Sequence, residues 1–382
     1  MKLGVAGLGR AFTLMLPTFR AHPAVELVAA ADPRPEACRR FEAEFGARIH
    51  PTVEALCDDP DVEGVYIATP HPFHAAHACA AAARGKHVLV EKPMAVTLAE
   101  CDAMIDAAAK ARVRLVVGHS HSFDAPIARA RDIIAGGSLG RVRMASALNY
   151  TDFLYRPRRP EELDTAQGGG VLFSQAAHQV DVVRRLVGER VASVRASAGA
   201  WDPARATEGA YAAHLVFETG AFASIAYSGY GHFDSDELCG GIGELGQSKE
   251  DAHDPRGAGR RALAGVDAEA EAAMKAARNY GGANEAEPPR AIAHPHFGFV
   301  IVSCERGDVR PMPTGVFVYG DEMRRFEPLP APGIPRREVI DEFVRAIESG
   351  NPATHDGAWA RETLAVCLAM LTSARENREI AR

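Results

Sequence analysis

The sequence predicts an α/β protein: an N-terminal doubly wound parallel sheet, then an α+β domain with a mostly antiparallel, open sheet. Three observations carry this. The 382 residues suit two domains better than one. Up to about residue 120, short apolar runs alternate with helical patterns over short connections, as in a parallel sheet. Beyond it, longer segments with period-two alternation take over. The expected domains are 1–120 and 121–382.

Each element follows from local pattern. The apolar run from Lys2 to Leu8 reads as a buried strand, Ala11 to Ala21 as a helix, Val25 to Ala31 as a strand and Pro35 to Phe45 as a helix. Gly64 to Ala68 is a strand, followed by an alanine-rich helix ending at Ala83. His87 to Val90 is a strand, Leu98 to Ala111 a helix with Ala and Met at helical spacing, and Arg114 to Gly118 a strand. Strands are then expected over Val142–Tyr150, Val191–Ala200, Ala210–Phe217, Ala221–Ser228, Phe297–Cys304 and Val316–Tyr319. Glu218-Thr219-Gly220 reads as a hairpin turn. Gly240 to Arg290 is rich in Gly, Ala and charge and reads as a surface insertion, or else a lid or oligomer contact. Within it, Asp267 to Tyr280 suits one helix with a Glu271–Lys275 pair. Helices over Arg337–Glu348 and Asp356–Arg378 close the chain.

Composition narrows the class. Hydrophobic residues at 47% and charged ones at 24% indicate a packed core, not a disordered chain. A net charge of −7 argues against a nucleic-acid or polybasic membrane binder, yet permits a local cationic pocket. The seven cysteines form no C-x-x-C pair, which favours reduced thiols in a cytoplasmic enzyme over a disulfide framework or zinc knuckle. Met1-Lys2-Leu3 enters a strand directly, so no signal peptide is expected. The stretch Gly64–Ala83 contains Pro70, Pro72 and three histidines and makes a poor membrane span.

Gly7-Leu8-Gly9 ends the first strand and opens a helix. The first glycine suits a sharp turn and the second a close approach of a pyrophosphate, with the helix-start residues Arg10, Ala11 and Phe12 supplying backbone N–H groups. Phe12 stands where a small third residue is usual. Asp32 ends the second strand, where a carboxylate can accept both ribose hydroxyls and repel a 2′-phosphate, favouring NAD over NADP. Arg34 lies close enough to offset that repulsion in part. Ala68-Thr69-Pro70 and His74 follow the next strand and leave room for a nicotinamide ribose. His71, His74 and His77 also sit at a metal-like spacing, but no carboxylate or Cys completes the set and no metal is expected.

With these pieces, Gly85-Lys86-His87-Val88-Leu89-Val90-Glu91-Lys92-Pro93 resembles the glucose–fructose oxidoreductase/inositol dehydrogenase (Gfo/Idh/MocA) family. Arg156-Pro157, Gly168-Gly169-Gly170, His178, Asp181, Asp356-Gly357 and Ser373-Ala374 extend the resemblance. It implies a Rossmann domain with a nicotinamide cofactor, Glu91 and Lys92 on the cofactor side, and an α/β domain whose open sheet faces partners in a homo-oligomer, a dimer or tetramer. Ser174 stands where the family pattern has an Asp four residues before the His. The strings His119-Ser120-His121-Ser122-Phe123-Asp124, Phe173 to Asp181, His294-Pro295-His296-Phe297-Gly298 and Val302 to Asp308 look like the phthalate 4,5-cis-dihydrodiol (4,5-dihydroxyphthalate) dehydrogenase subgroup. That likeness implies a carboxylated aromatic cis-dihydrodiol as substrate and the catechol as product.

Oxidising a secondary alcohol needs a hydride acceptor and a base. Lys92 is expected to orient and deprotonate the hydroxyl, since burial and a cationic ring both lower a lysine pKa. His178 is expected to share the proton movement or bind a hydroxyl, with Ser174 or Gln175 in place of the missing acid. Arg156, Arg158 and Arg159 lie on one loop and suit carboxylate recognition, with His119, His121, His294 and His296 as further substrate contacts. The competing readings are a sugar or polyol dehydrogenase of the same fold, a nicotinamide-sensing protein without catalysis, and an NAD-dependent glycoside hydrolase.

Overall fold

The computed structural model describes residues 1–249, 257–285 and 288–382; residues 250–256 and 286–287 of the expected insertion lie outside the described residues. The chain forms two compact units that do not follow chain order. The first holds Met1–His119, Ala272–Pro288 and Ile334–Leu364; the second holds Ser120–Glu271, Pro289–Gly333 and Ala365–Arg382. Two late segments therefore return to the first unit, where the sequence pattern suggests a single boundary at 120.

The first unit carries six parallel strands: β1 (Lys2–Ala6), β2 (Glu26–Ala31), β3 (Arg48–Ile49), β4 (Gly64–Ile67), β5 (His87–Val90) and β6 (Leu115–Val117), in the order β3-β2-β1-β4-β5-β6. Their near-continuous apolar runs suit strands covered on both faces. The order reverses between β1 and β4, which opens a crevice beyond their carboxyl ends. The helices start and stop on local chemistry. Leu98–Ala111 is opened by a Thr97–Glu100 capping box, and Pro35–Phe45 has Pro at its first position and Gly46 in the left-handed region at its end. Phe12 packs against Phe19, Phe41 and Tyr280, with ring centroids 6.1, 5.7 and 5.2 Å away.

The second unit is built on nine strands: β7 (Val142–Tyr150), β8 (Val191–Gly199), β9 (Ala210–Phe217), β10 (Phe222–Ser228), β11 (Phe299–Cys304), β12 (Gly307–Met312), β13 (Gly315–Tyr319), β14 (Arg324–Pro328) and β15 (Ile380–Ala381). Their order is β14-β13-β12-β11-β7-β10-β9-β8-β15, antiparallel except for the β7–β10 pair. One face buries Ala145, Ala147, Ala223, Ile225 and Tyr227 in the same core as Ile133 of helix Ala125–Ala135 and Val180 and Val183 of helix Ala176–Val187. Gln179 anchors the latter helix to the sheet: its Nε2 donates to Ala226 O at 3.1 Å and its Oε1 accepts from Tyr211 at 2.8 Å.

The expected insertion is not merely a surface excursion. Tyr280 is fully buried in the first unit and donates to Glu44 at 2.6 Å. Glu271 is buried in the second, where its carboxylate takes Arg205 at 2.8 Å and the Arg158 amide at 2.7 Å. Glu271, expected to support its helix through Lys275, is thus also a buried partner of Arg205. All seven cysteines are free thiols. Among the described residues no helix is long and apolar enough to cross a membrane.

Candidate active site

The glycine turn lies at the switch between β1 and β4. Gly7 has φ +92°, and a Cβ there would meet Ala68 O at 2.8 Å, so a side chain is excluded on both counts. Gly9 has ordinary extended dihedrals, and an added Cβ would meet nothing within 4 Å. That open space fronts the first turn of helix Arg10–Ala21, whose amides have no carbonyl one turn back. The arrangement fits a dinucleotide pyrophosphate. Phe12 presents its backbone amide at the helix start, while its ring is buried in the aromatic cluster. This also explains the departure from a small third residue: the space beneath the helix is filled by rings.

Asp32 is tied into the turn itself. Its carboxylate accepts from Leu8 N at 2.7 Å, Arg34 N at 2.9 Å and Arg34 Nε at 3.0 Å. Arg34 also donates to Leu8 O at 2.7 Å and Tyr280 O at 3.1 Å. Ribose hydroxyls at Asp32 must therefore share a carboxylate already braced by Arg34.

Two expected cofactor contacts have protein partners. His74 is fully buried, and its ring nitrogens lie 2.8 Å from Thr69 O and 2.9 Å from Pro93 O. It ties the Thr69-Pro70 turn to the Lys92-Pro93 turn, and burial lowers its pKa. Glu91 accepts from the Tyr66 hydroxyl at 2.6 Å inside the core, where burial raises its pKa. Lys92, one residue on, is half-buried just beyond β5, as are Ala68, Thr69 and Pro70 beyond β4. His119, buried, ends this unit's first segment.

In the second unit, two buried imidazoles meet. Ser122 donates a short hydrogen bond to Asp181 of helix Ala176–Val187, fastening the turn His121–Phe123 to that helix. His121 and His178 then stand edge to face with centroids 4.9 Å apart, and Phe297 packs on both at 5.3 and 4.9 Å. His121 Nδ1 bonds Asp124 at 2.8 Å, and its Nε2 lies 3.7 Å from Glu244. Burial opposes the charged ring, but Asp124 and Glu244 together outweigh it and raise the His121 pKa.

Arg156 completes this recess. Its Nε donates to Asp152 at 2.9 Å, and its Nη2 lies 3.7 Å from Glu244. Despite burial, Arg156 and His121 hold the Glu244 carboxyl well below the usual range. The other two arginines make different contacts. Arg158 stacks on the Phe153 ring at 3.6 Å and donates to Phe153 O at 2.9 Å; burial lowers its pKa to about 10. Arg159 pairs with Glu161 at 2.9 Å on the surface.

Four more expected contacts have protein partners. Ser174 donates to Gly170 O one turn back. Gln175 Oε1 accepts from Tyr227 at 3.3 Å. His294 bonds Pro330 O at 2.9 Å, and burial lowers its pKa. His296 Nδ1 accepts from Gly298 N at 3.0 Å, so its Nε2–H donates to Ile242 O at 2.8 Å. Both histidines thus hold backbone. Sequence reasoning missed Asp124, Asp152 and Glu244. Asp124 has a local signal, three residues after His121 and directly before a helix start. Glu244, in a glycine-rich stretch, has none.

A nucleotide-binding parallel sheet with a glycine turn, and a second unit with an imidazole- and guanidinium-lined recess, define a dinucleotide-dependent oxidoreductase. Models of known families agree. One described as an oxidoreductase family with an NAD-binding Rossmann fold matches residues 1–119, and the Gfo/Idh/MocA C-terminal domain matches 127–246. The chain is 48% identical over 381 residues, 97% of its length and 94% of the relative's, to 1-carboxy-3-chloro-3,4-dihydroxycyclohexa-1,5-diene dehydrogenase of Comamonas testosteroni. A crystal structure from Bordetella bronchiseptica RB50, described as a dehydrogenase, superposes with TM-score 0.92 at 41% identity over the whole of both chains. Levoglucosan dehydrogenase in complex with NADH and levoglucosan shares the fold, with TM-score 0.74 at 20% identity, covering 100% of this chain and 99% of that one. The protein belongs to the Gfo/Idh/MocA family and is an NAD-dependent oxidoreductase.

Proposed function

We propose that the protein is a dehydrogenase of carboxylated cyclohexadiene cis-diols, yielding the corresponding catechol. The observation that carries this reading is the recess of His121, His178 and Arg156, in a chain so similar over its length to a dehydrogenase of a carboxylated dihydroxycyclohexadiene. A guanidinium suits a carboxylate, and imidazoles suit vicinal hydroxyls.

NAD, when bound against the glycine turn, supplies the hydride acceptor. Lys92 takes the proton of the reacting hydroxyl as that carbon is oxidised, leaving a hydroxy-ketone. His178 holds the neighbouring hydroxyl and moves the proton that leaves carbon as the ring enolises to the catechol. His121, braced by Asp124, fixes the His178 ring from the side. Arg156, oriented by Asp152, receives the substrate carboxylate. Restored aromaticity drives the sequence forward.

The test is NADH formation by purified protein with NAD and, in turn, the cis-dihydrodiols of benzoate and phthalate, myo-inositol and levoglucosan. Turnover of a carboxylated diol with catechol as product is expected. Turnover confined to inositol or levoglucosan overturns the reading.

A further inference from the structure

The hairpin after Cys239 delivers a carboxylate into the recess and holds it there. Ile242 and Ser248 pair across the hairpin, and Gly243 N donates to Gln247 O at 2.8 Å. His296 grips it twice, through Nε2–H on Ile242 O at 2.8 Å and its amide on Glu244 O at 3.2 Å. Lys249 anchors its far end on Asp234 at 2.7 Å and on Asp236. Glu244 is therefore placed by a hydrogen-bonded backbone turn. Its two carboxylate oxygens reach separate cations, His121 and Arg156, each at 3.7 Å, and its side chain stays 28% exposed.

Charge balance gives this acid a role. Around the recess, Arg156 and His121 supply at most two positive charges, against three carboxylates on Asp124, Asp152 and Glu244. Among the described residues Arg158 is also close, but its side chain is only 13% exposed and its guanidinium lies over the Phe153 ring and donates to Phe153 O. We propose that Glu244 is a specificity-determining residue that confines the recess to substrates bearing a single carboxylate and rejects dicarboxylates. One substrate carboxylate can share the Arg156 fork. A second would lie beside Glu244, and like charges brought together out of water repel strongly. The inference rests on the reading that this recess takes a carboxylated diol, and narrows it to monocarboxylates.

The experiment measures binding without turnover. Benzoate and phthalate, flat mono- and dicarboxylate stand-ins, are titrated calorimetrically into the NADH-loaded protein, wild type, Glu244→Gln and Glu244→Asp, with melting temperatures confirming folding. The wild type is expected to bind benzoate at least about tenfold more tightly than phthalate. Glu244→Gln should shrink that ratio about tenfold or more by tightening phthalate, and Glu244→Asp should largely keep it. Equal or preferred phthalate binding by the wild type, a ratio unmoved by Glu244→Gln, or no binding of either ligand overturns the proposal. The dehydrogenase reading is judged separately by NADH formation: catechol produced while the ratio fails removes only the role of Glu244.

Discussion

Replacing Gly7 and Gly9 singly by alanine should have opposite consequences, because the two glycines serve different ends. At Gly7 the backbone has φ +92°, and the new Cβ would lie 2.8 Å from Ala68 O and 2.9 Å from Ala68 C. Both are backbone atoms at the end of a central strand, so neither can swing aside. Strained dihedrals cost about 1–3 kcal/mol, and forced overpacking about 1–3 kcal/mol more. The sum, about 2–6 kcal/mol, is a large share of a typical stability of about 5–15 kcal/mol. At Gly9 the dihedrals suit any residue and the Cβ enters empty space, so folding loses at most about 1 kcal/mol, the weaker N-cap preference of alanine. The same methyl would stand where the pyrophosphate approaches, and a steric cost of about 1–3 kcal/mol there raises the NAD Kd about 5- to 150-fold. Urea unfolding of the cofactor-free variants and calorimetric titration with NAD separate the effects. Equal destabilisation by both substitutions, or unaltered NAD affinity in Gly9→Ala, would refute the reasoning.

Three further outcomes follow from the same structure. Lys92→Ala should lower kcat by about 10²–10⁴-fold while NADH affinity, followed by fluorescence titration, changes far less; a near-normal rate removes Lys92 as the base. Glu271→Ala should destabilise the second unit by about 3–5 kcal/mol in urea, because it leaves the buried Arg205 guanidinium without its carboxylate; a loss within about 0.5 kcal/mol would show the pair behaving as a surface one. Burial opposes the Asp59 charge, but Arg48, the Asp61 amide and His50 hold the carboxyl down at about 2. A depressed folded-state pKa contributes stability above the unfolded value of about 4 and loses it as pH falls through the folded value. The stability difference between wild type and Asp59→Asn should therefore be constant above about pH 4 and shrink towards pH 2; a difference that grows on acidification contradicts this.

Legibility in the sequence tracked how local each cause was. Helix Leu98–Ala111 is bounded by its own capping box, and Pro35–Phe45 by a Pro and a Gly, so both stand in the sequence as they stand in space. Strands such as Val142–Tyr150 declare themselves by alternation against one buried face. Strands β12 and β14 do not: Gly-Asp-Val-Arg-Pro-Met and Arg-Arg-Phe-Glu-Pro hold polar residues and proline, and only pairing with β13 makes them strands. Around the site, side-chain type was legible but its partner was not. His294 and His296 resemble ligand-binding imidazoles until the carbonyls of Pro330 and Ile242 are found at their Nε2 atoms. Ser174 stands where an acid is expected beside His178, and the carboxylates near His121 and Arg156 are Asp124 and Asp152, three and four residues from their partners, and Glu244 from a distant loop. Only for Glu244 does long-range convergence leave no spacing to read.

The most direct test of the central assignment is to follow one hydrogen. A benzoate-type cis-dihydrodiol carrying deuterium at its carbinol carbons is mixed with the protein and NAD, and the reduced nucleotide and aromatic product are analysed by mass spectrometry. Transfer of one deuterium to the nicotinamide, with the catechol formed in equal amount, is the predicted result. Reduced nucleotide without the label, or a labelled diol recovered intact while a sugar or inositol is oxidised, contradicts it.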